Sequence, residues 1–465
     1  MNDSIKTPQV TSGVRTLLGN PKKAIVKLAI PMIIAMSAHT LYAVVDAIWV
    51  SGLGPDALSA IGFFFPFNII TIAVSGGLGV GGSSAISRKI GAHDKKGADS
   101  VASHTLVLMI FASLLLMAPL LIFIEHIYAG IGAGPIASLA AGYSRIIFAL
   151  MPLSFFSMIS VSLLRGEGDV KRAMTVMLLG SALNIGLDPL FIYTFKLGVN
   201  GAAWATMISI GFSCLFLFNW MFLKRDTYVT FRLKGFRFAK KILSDILRVG
   251  IPSAVMQTSM ALMAFFLNVL AVKAGGTDGV AVFTTGWRVV MFASLPLIGM
   301  ATAVTSVTGA AFGAKDASKL RIAFFYAVKI GFIIELITAS LTFIFAPQIA
   351  GVFTMKAGGL RIRADLITFL KIMFIFFPFV PFGMLSSAMF QGTGNGLNAL
   401  ALTFTRTILM AVPLAWIFST LTPLGLSGIW WGIVCGNSLG AVLAFTWANF
   451  YIRGLMKKQQ PLKPA

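Results

Sequence analysis

Apolar stretches long enough to cross a bilayer as helices, about 20 residues each, follow one another along this chain with short polar breaks between them. They fall at 25–51, 57–84, 101–124, 136–163, 172–194 and 199–223, then at 249–273, 279–311, 321–346, 363–390, 398–420 and 427–452. Pro152 and Pro378 lie near the middle of two of these runs, where a missing amide hydrogen predicts a kink. The polar breaks repeat. Gly91-Ala92-His93-Asp94 after the second run returns as Gly313-Ala314-Lys315-Asp316 after the eighth, and Arg165-Gly166-Glu167-Gly168-Asp169 after the fourth returns as Gln391-Gly392-Thr393-Gly394-Asn395 after the tenth. Gly198-Val199-Asn200-Gly201 before the sixth has its counterpart in Gly425-Leu426-Ser427-Gly428 before the twelfth, and Ile30-Pro31 in Ile251-Pro252. Six spans are an even number, so both halves enter the bilayer in the same direction and an axis along the membrane normal relates them. The pattern therefore predicts an all-α polytopic membrane protein, with twelve transmembrane helices in two six-helix lobes related by a pseudo-twofold axis along the membrane normal. Residues 1–223 form the N-lobe, 224–248 a basic cytoplasmic linker and 249–465 the C-lobe.

Composition agrees. Only 11% of residues are charged and 57% are hydrophobic, against roughly 25% charged in soluble domains. Cys214 and Cys435 both sit in apolar runs and suggest neither a disulfide framework nor a zinc site. The N-terminal 23 residues are polar and basic without a short apolar core, so no removable signal peptide is expected and the first helix is a true span. A net charge of +22 would point to nucleic acid in a soluble protein. Here the basic residues are scattered over many short loops, and the great majority fall on one side: Arg88, Lys89, Lys95 and Lys96 after the second span, and Lys224, Arg225, Arg232, Lys234, Arg237, Lys240 and Lys241 in the linker are examples. Lys6 and Lys463 flank the set, and Lys356 is one of the few on the other side. The charge then reports orientation, both termini cytoplasmic by the positive-inside rule, and no nucleic-acid partner is expected.

Two acids interrupt the apolar pattern. Asp46 lies within 31–50 and Asp188 within Leu183-Asn184-Ile185-Gly186-Leu187-Asp188-Pro189. Such a residue costs about 2.5–3.5 kcal/mol at the centre of a spanning helix and marks an ion or substrate path more often than packing. Both helices run from inside to outside, and at 1.5 Å per residue both acids lie roughly 8–9 Å below the outer end, at one level. Asn184 shares a face with Asp188 at i,i+4, and the same stripe continues inward through Ser181 and Met177. His39 and Tyr42 share the face of Asp46. His39, Tyr42, Met177 and Ser181 are thus candidate cavity residues, with packing as the alternative role of His39 and Tyr42. Pro189 frees the carbonyl of Ile185, which can ligate a cation where backbone lines a cavity. Two neighbouring carboxylates in a low dielectric do not both ionise without a cation, so the pair can bind a proton or Na⁺. Glu335 is also mid-span and is expected to pair with Lys329 or Arg288. Gly76-Gly77-Leu78-Gly79-Val80-Gly81-Gly82-Ser83 has the look of a phosphate loop but lacks the Gly-Lys-Ser/Thr ending, and is read as close helix packing.

The chain resembles the MATE (multidrug and toxic compound extrusion) transporters, in the branch of the DNA-damage-inducible protein F and its archaeal relatives. The resemblance rests on Leu41-Tyr42-Ala43-Val44-Val45-Asp46 with Trp49 and Gly52, on Gly91-Ala92-His93-Asp94, on Leu164-Arg165-Gly166 with Gly168-Asp169, and on the Asp188 stretch. It implies a cation-coupled exporter with a V-shaped pair of lobes. It also implies a coupling site in the N-lobe at Asp46, Asp188, Asn184 and Thr206, with Na⁺ as one possible occupant, and helix bending at Pro31 and Pro189. The C-lobe positions paired with the two acids fall near Leu267 and Leu414, so a single site is expected. The expected function is secondary active multidrug efflux, an antiporter exchanging amphiphilic or cationic drugs for H⁺ or Na⁺ across the cell membrane. No enzyme activity is expected, and no cofactor besides the coupling ion. The expected partners are small amphiphilic molecules and the lipid bilayer, and the chain is expected to act as a monomer. The alternative is a lipid or lipid-linked precursor flippase of a related two-lobed fold. That reading needs a cationic cavity, for which Arg145, Arg288 and Arg406 are the candidates. An intramembrane enzyme would need a catalytic or metal motif, such as His-Glu-x-x-His, that the sequence lacks.

Overall fold

The computed structural model describes residues 11–231, 236–355 and 357–459, and among them only helices, turns and irregular segments occur. Lys6, Arg232, Lys234, Lys356 and Lys463, all part of the charge pattern, lie outside the described residues. In the first half α1 spans Pro21–Ser51, α2 Pro55–Gly91 and α3 Lys95–Gly130. Helix α4 is bent, its segments Gly134–Ala149 and Met151–Gly166 meeting at 53°. Helices α5 (Val170–Thr194) and α6 (Gly198–Lys224) complete the half. One helical stretch, Lys240–Ala293, then hides a reversal: Gly276 has φ 60 and ψ −147, which only glycine adopts freely. It separates α7 (240–275) from α8, which begins at 277 and continues as Leu295–Gly313. Helices α9 (Ala317–Ile344), α10 (Gly359–Gly392), α11 (Gly396–Thr420) and α12 (Leu426–Gln459) follow. The twelve expected spans are all present.

The helices outrun the apolar stretches that announced them, because hydropathy measures the hydrocarbon slab while a helix continues until its backbone is stopped. Helix α2 reaches Gly91 and is stopped by His93 in the left-handed region (φ 55), after which Asp94 caps α3 by accepting from the amide of Gly97. The paired position does the same: Lys315 has φ 55 and Asp316 accepts from Lys319. The pairing continues at Gly168 (φ 82) and Gly394 (φ 84), and at Gly198 (φ 56) and Gly425 (φ 52). The internal repeat is therefore a repeat of helix stops and starts, each marked by a left-handed residue, with a side-chain cap following at Asp94, Asp169 and Asp316. In α4 the kink forms where Pro152 was expected to place it, with Pro152 in the first turn of the second segment. Pro378 behaves differently, since the α-helical part of α10 continues from Arg363 to Gly392 through both Pro378 and Pro381.

The described chain divides into two compact units, and the borders fall inside helices. One unit holds residues 34–254 with the short helix Ser12–Leu18; the other holds Asn20–Ile33 and the chain from Val255 onward. In the first unit aromatic rings fill the centre, Phe64 edge-on to Tyr143 at 5.3 Å and Phe67 edge-on to Tyr128 at 5.8 Å. In the second, Trp430 stacks on Phe283 at 5.8 Å and meets Phe369 at 4.9 Å. The glycine-rich stretch of α2 is a packing surface: a Cβ on Gly77 would come within 2.6 Å of the Gly250 carbonyl oxygen, and one on Gly81 within 2.4 Å of that of Ile246. Small residues here let two backbones meet.

The segment after α6 is laid along the first unit by acids. Asp226 pairs with Arg172 at 2.6 Å, Asp99 accepts from the amide of Thr230 at 2.7 Å, and Asp245 pairs with Arg88 at 2.7 Å. The amide of Ala239 reaches His104 Nε2 at 3.0 Å. Glu167, in the turn between α4 and α5, is fully buried and accepts from the amide of Val229 at 2.9 Å, while its second oxygen has no donor. Burial pushes its carboxyl up to about 8. Between the ordinary glutamate range and about 8 the folded chain therefore holds a proton that the unfolded chain has released, so stability is full at low pH and is lost as pH rises through about 8. The unfolding midpoint, followed by intrinsic fluorescence, is expected to fall by on the order of 5 °C between pH 5 and 9. Glu167→Gln is expected to flatten that slope; an equal slope in the variant would assign the pH dependence elsewhere.

Candidate functional site

Pro189 decides the local shape of α5. It has no amide hydrogen to give to the carbonyl of Ile185, and directly after it the backbone opens into a π-helical turn, Leu190–Thr194. Asp188 sits at this opening, fully buried. Its carboxyl stands within hydrogen-bonding reach of that of Asp46 on α1. One turn inward, the Asn184 amide is satisfied at both ends: Nδ2 donates to Asp188 Oδ2 at 2.8 Å, and Oδ1 accepts from Thr206 Oγ1 at 3.3 Å and from the Thr206 amide at 3.1 Å. The Tyr42 hydroxyl lies near Thr206. The structure thus brings Asp46, Asp188, Asn184, Thr206 and Tyr42 together within the first unit.

The cluster is rich in oxygen and poor in positive charge. Among the described residues no Lys or Arg forms an ion pair with either acid, and no donor reaches the buried Asp46 Oδ1. Two unit charges at 4 Å repel by about 4 kcal/mol at an effective dielectric of 20. Two touching carboxyls therefore persist only with a proton or a cation between them. The orphaned oxygen, the two amide-held oxygens and the hydroxyl of Thr206 are the hard donor set that Na⁺ or a proton would use.

The remaining sequence candidates lie around this cluster with differing roles. The His39 ring meets Tyr42 at 5.4 Å and is itself exposed. Ser181 is buried on the stripe of Asn184. Met177 is engaged by Arg165, whose Nη2 lies 3.3 Å from its sulfur, so its thioether faces a guanidinium. Tyr143 on α4 was not singled out by the sequence, yet it is buried where the charges of Asp46 and Asp188 act on it. Nothing in its spacing links α4 to α1 or α5, because that proximity arises between helices. A second tie lies at the C-terminal ends of α1 and α5, where the Tyr193 hydroxyl donates to the Trp49 carbonyl at 2.5 Å and the rings meet edge-on at 6.2 Å. A Cβ on Gly52 would lie 2.3 Å from that hydroxyl. Gly52→Val is expected to displace Tyr193, loosen the tie and lower the transport expected from the sequence about tenfold, equivalent to 1.4 kcal/mol. Tyr193→Phe, which removes only the hydrogen bond, should cost less. Equal transport in all three proteins would show that the tie does not position the acids.

The other intramembrane charges sort differently from the sequence expectation. Glu335 is fully buried and neither oxygen has a partner among the described residues, which corrects the expected pairing with Lys329 or Arg288. Lys329 is six positions away, two-thirds of a helical revolution round α9, and both Lys329 and Arg288 are exposed. Arg145 pairs with Glu125 at 2.7 Å on an exposed face. Of the three arginines that a cationic cavity would need, only Arg406 is buried.

The MatE family profile matches residues 31–190 and 252–417. Multidrug export protein MepA of Staphylococcus aureus (strain NCTC 8325 / PS 47) is 28% identical over 425 residues, covering 91% of this chain and 92% of that protein. A crystal structure of MATE in the bent conformation is 49% identical with a TM-score of 0.92, covering 97% of this chain and 99% of the other. A MOP superfamily transporter from Pyrococcus furiosus Vc1 (DSM3638), described as having a binding pocket of reverse polarity that suggests a different function, is 49% identical with a TM-score of 0.93, covering 96% and 99%.

Proposed function

Because this chain belongs to the MatE family, we propose that it is a secondary active antiporter that exports amphiphilic or cationic drugs in exchange for H⁺ or Na⁺ at Asp46 and Asp188. The observation that carries the reading is the contact between two carboxyl groups, one of them with a buried oxygen that no donor reaches and neither with a basic partner. An ion entering from outside neutralises the pair, removes its need for water and favours a tighter packing of α1 against α5. An empty pair repels itself and draws in water or a cationic cargo. Ion and cargo thereby exclude one another, which is what obligatory exchange needs. Pro31 supports bending of α1 as the response: it leaves the carbonyl of Lys27 without its helical donor and lies next to the point, between Ile33 and Ile34, where α1 passes from one compact unit to the other. The one-sided distribution of basic residues supports a cell-membrane protein with both termini in the cytoplasm.

The test is uphill transport of a lipophilic fluorescent cation into or out of proteoliposomes under an imposed pH gradient and, separately, an imposed Na⁺ gradient. One of the two is expected to drive accumulation well beyond the passive distribution. Passive equilibration under both would contradict the proposal.

A further inference from the structure

Arg406 lies within α11, in a π-helical stretch, Thr405–Ala411, and is 9% exposed. A guanidinium at this depth stays charged, and an uncompensated buried charge costs several kcal/mol. Yet Arg406 forms no ion pair or hydrogen bond with any described residue; Glu335, the orphaned acid of the same unit, does not reach it either. The fold nonetheless makes room for it. On α10, a Cβ at Gly383 would lie 2.5 Å from Arg406 Nη1, and on α12, a Cβ at Gly440 would lie 2.8 Å from the Arg406 stem. Two neighbouring helices thus lack side chains where this one passes. One turn before Gly440, on the same face of α12, Asn437 is 6% exposed and its buried Nδ2 has no acceptor among the described residues.

We propose that Arg406 and Asn437 form a binding site within the C-terminal unit for the anionic group, carboxylate or phosphate, of an amphiphilic ligand. The two unpartnered groups are both donors, on adjacent helices. The planar fork of a guanidinium matches a carboxylate or phosphate with two parallel hydrogen bonds, and the amide hydrogens of Asn437 supply a further donor. An occupant with a negative charge would end the desolvation penalty of Arg406 and satisfy Asn437 together; a neutral or cationic one would do neither. Lys329, Lys371 and Arg288, the other cations within the spans of this unit, are exposed and can extend along the helix surface towards water, whereas Arg406 is enclosed. As a subsite for cargo the proposal rests on the export reading above; as a binding site it stands apart from it, because binding is measured without a gradient.

The experiment is equilibrium binding of a radiolabelled long-chain fatty acid to the purified full-length protein in uncharged detergent, beside the matched fatty alcohol and with inorganic phosphate as competitor. Saturable binding of the acid is expected. Arg406→Gln is expected to weaken it at least tenfold, Asn437→Ala severalfold and Arg406→Lys less than Arg406→Gln, with binding of the alcohol unchanged in all of them. Displacement by millimolar phosphate would support the site with a free anion as occupant; resistance to it would support the amphiphile. Because the unpaired charge costs stability in the empty protein, Arg406→Met is expected to raise the melting temperature without ligand, whereas a purely structural arginine would lower it on replacement. Asp188→Asn, which would cripple export, is expected to bind the acid like the wild type, so a failed exporter and a failed anion site are told apart. Equal affinity for the acid in wild type and Arg406→Gln, or equal loss for acid and alcohol, would overturn the proposal.

Discussion

Asp188→Asn is expected to abolish uphill export while leaving the protein folded and able to bind drug. The substitution keeps the shape of the side chain and its contact with Asn184 but removes one of the two acids that the proposed exchange needs. In the wild type, each charge moved through the cycle draws about 2.3 kcal/mol per 100 mV, which sustains roughly a 50-fold concentration ratio. With a single acid left the ratio is expected to collapse to about one, since energy that is not coupled is not stored. Asp46→Asn should do the same, and the double variant should be no worse than either single one, because groups that act as a unit lose their effect together. A buried acid serving only to pack would give the opposite pattern, a lower melting temperature with coupling intact. Efflux from proteoliposomes, with melting curves of the same preparations, separates the two.

Asn184→Leu is the second large effect. Asn184 bridges Asp188 and Thr206, so leucine removes the donor at 2.8 Å from Asp188 and leaves the Thr206 hydroxyl with one partner fewer. Groups that orient an ion's ligands typically cost 10–100-fold when lost, and a loss of that size in apparent affinity for the coupling ion is expected. Drug affinity measured in the absence of the ion should change far less. The discriminating measurement is the concentration of H⁺ or Na⁺ at half-maximal transport; a shift below twofold would make Asn184 a bystander.

What could be read in the sequence was whatever lives on one helix. Span positions follow from run length, the repeat from its stops and starts, and the shared level of Asp46 and Asp188 from rise per residue. The shared faces of Asn184 with Asp188 and of Tyr42 with Asp46 follow from helical spacing. What escaped depends on which helices touch. Tyr143 on α4 lies within reach of the acids' charge, and no periodicity within α4 records its neighbours. Arg165 against Met177 turns a residue expected to line the cavity into a partner of a cation. Glu335 has no partner among the described residues; Lys329, six positions away, faces a different way, and Arg288 is exposed on another helix. Glu167, in a Gly-x-Gly turn that looked like a helix stop, also clasps the segment leading into the second half, a contact across 62 positions that only the fold brings about.

The central claim is that Asp46 and Asp188 hold the coupling ion jointly and give it up to cargo. It is tested most directly by adding drug to the purified, unenergised protein and counting displaced ions, protons with a pH indicator and Na⁺ with a radioisotope. The wild type is expected to release roughly one ion of one kind per drug bound, and the Asp46→Asn/Asp188→Asn protein to bind drug and release none. Release of the same number of ions by the double variant would contradict the account.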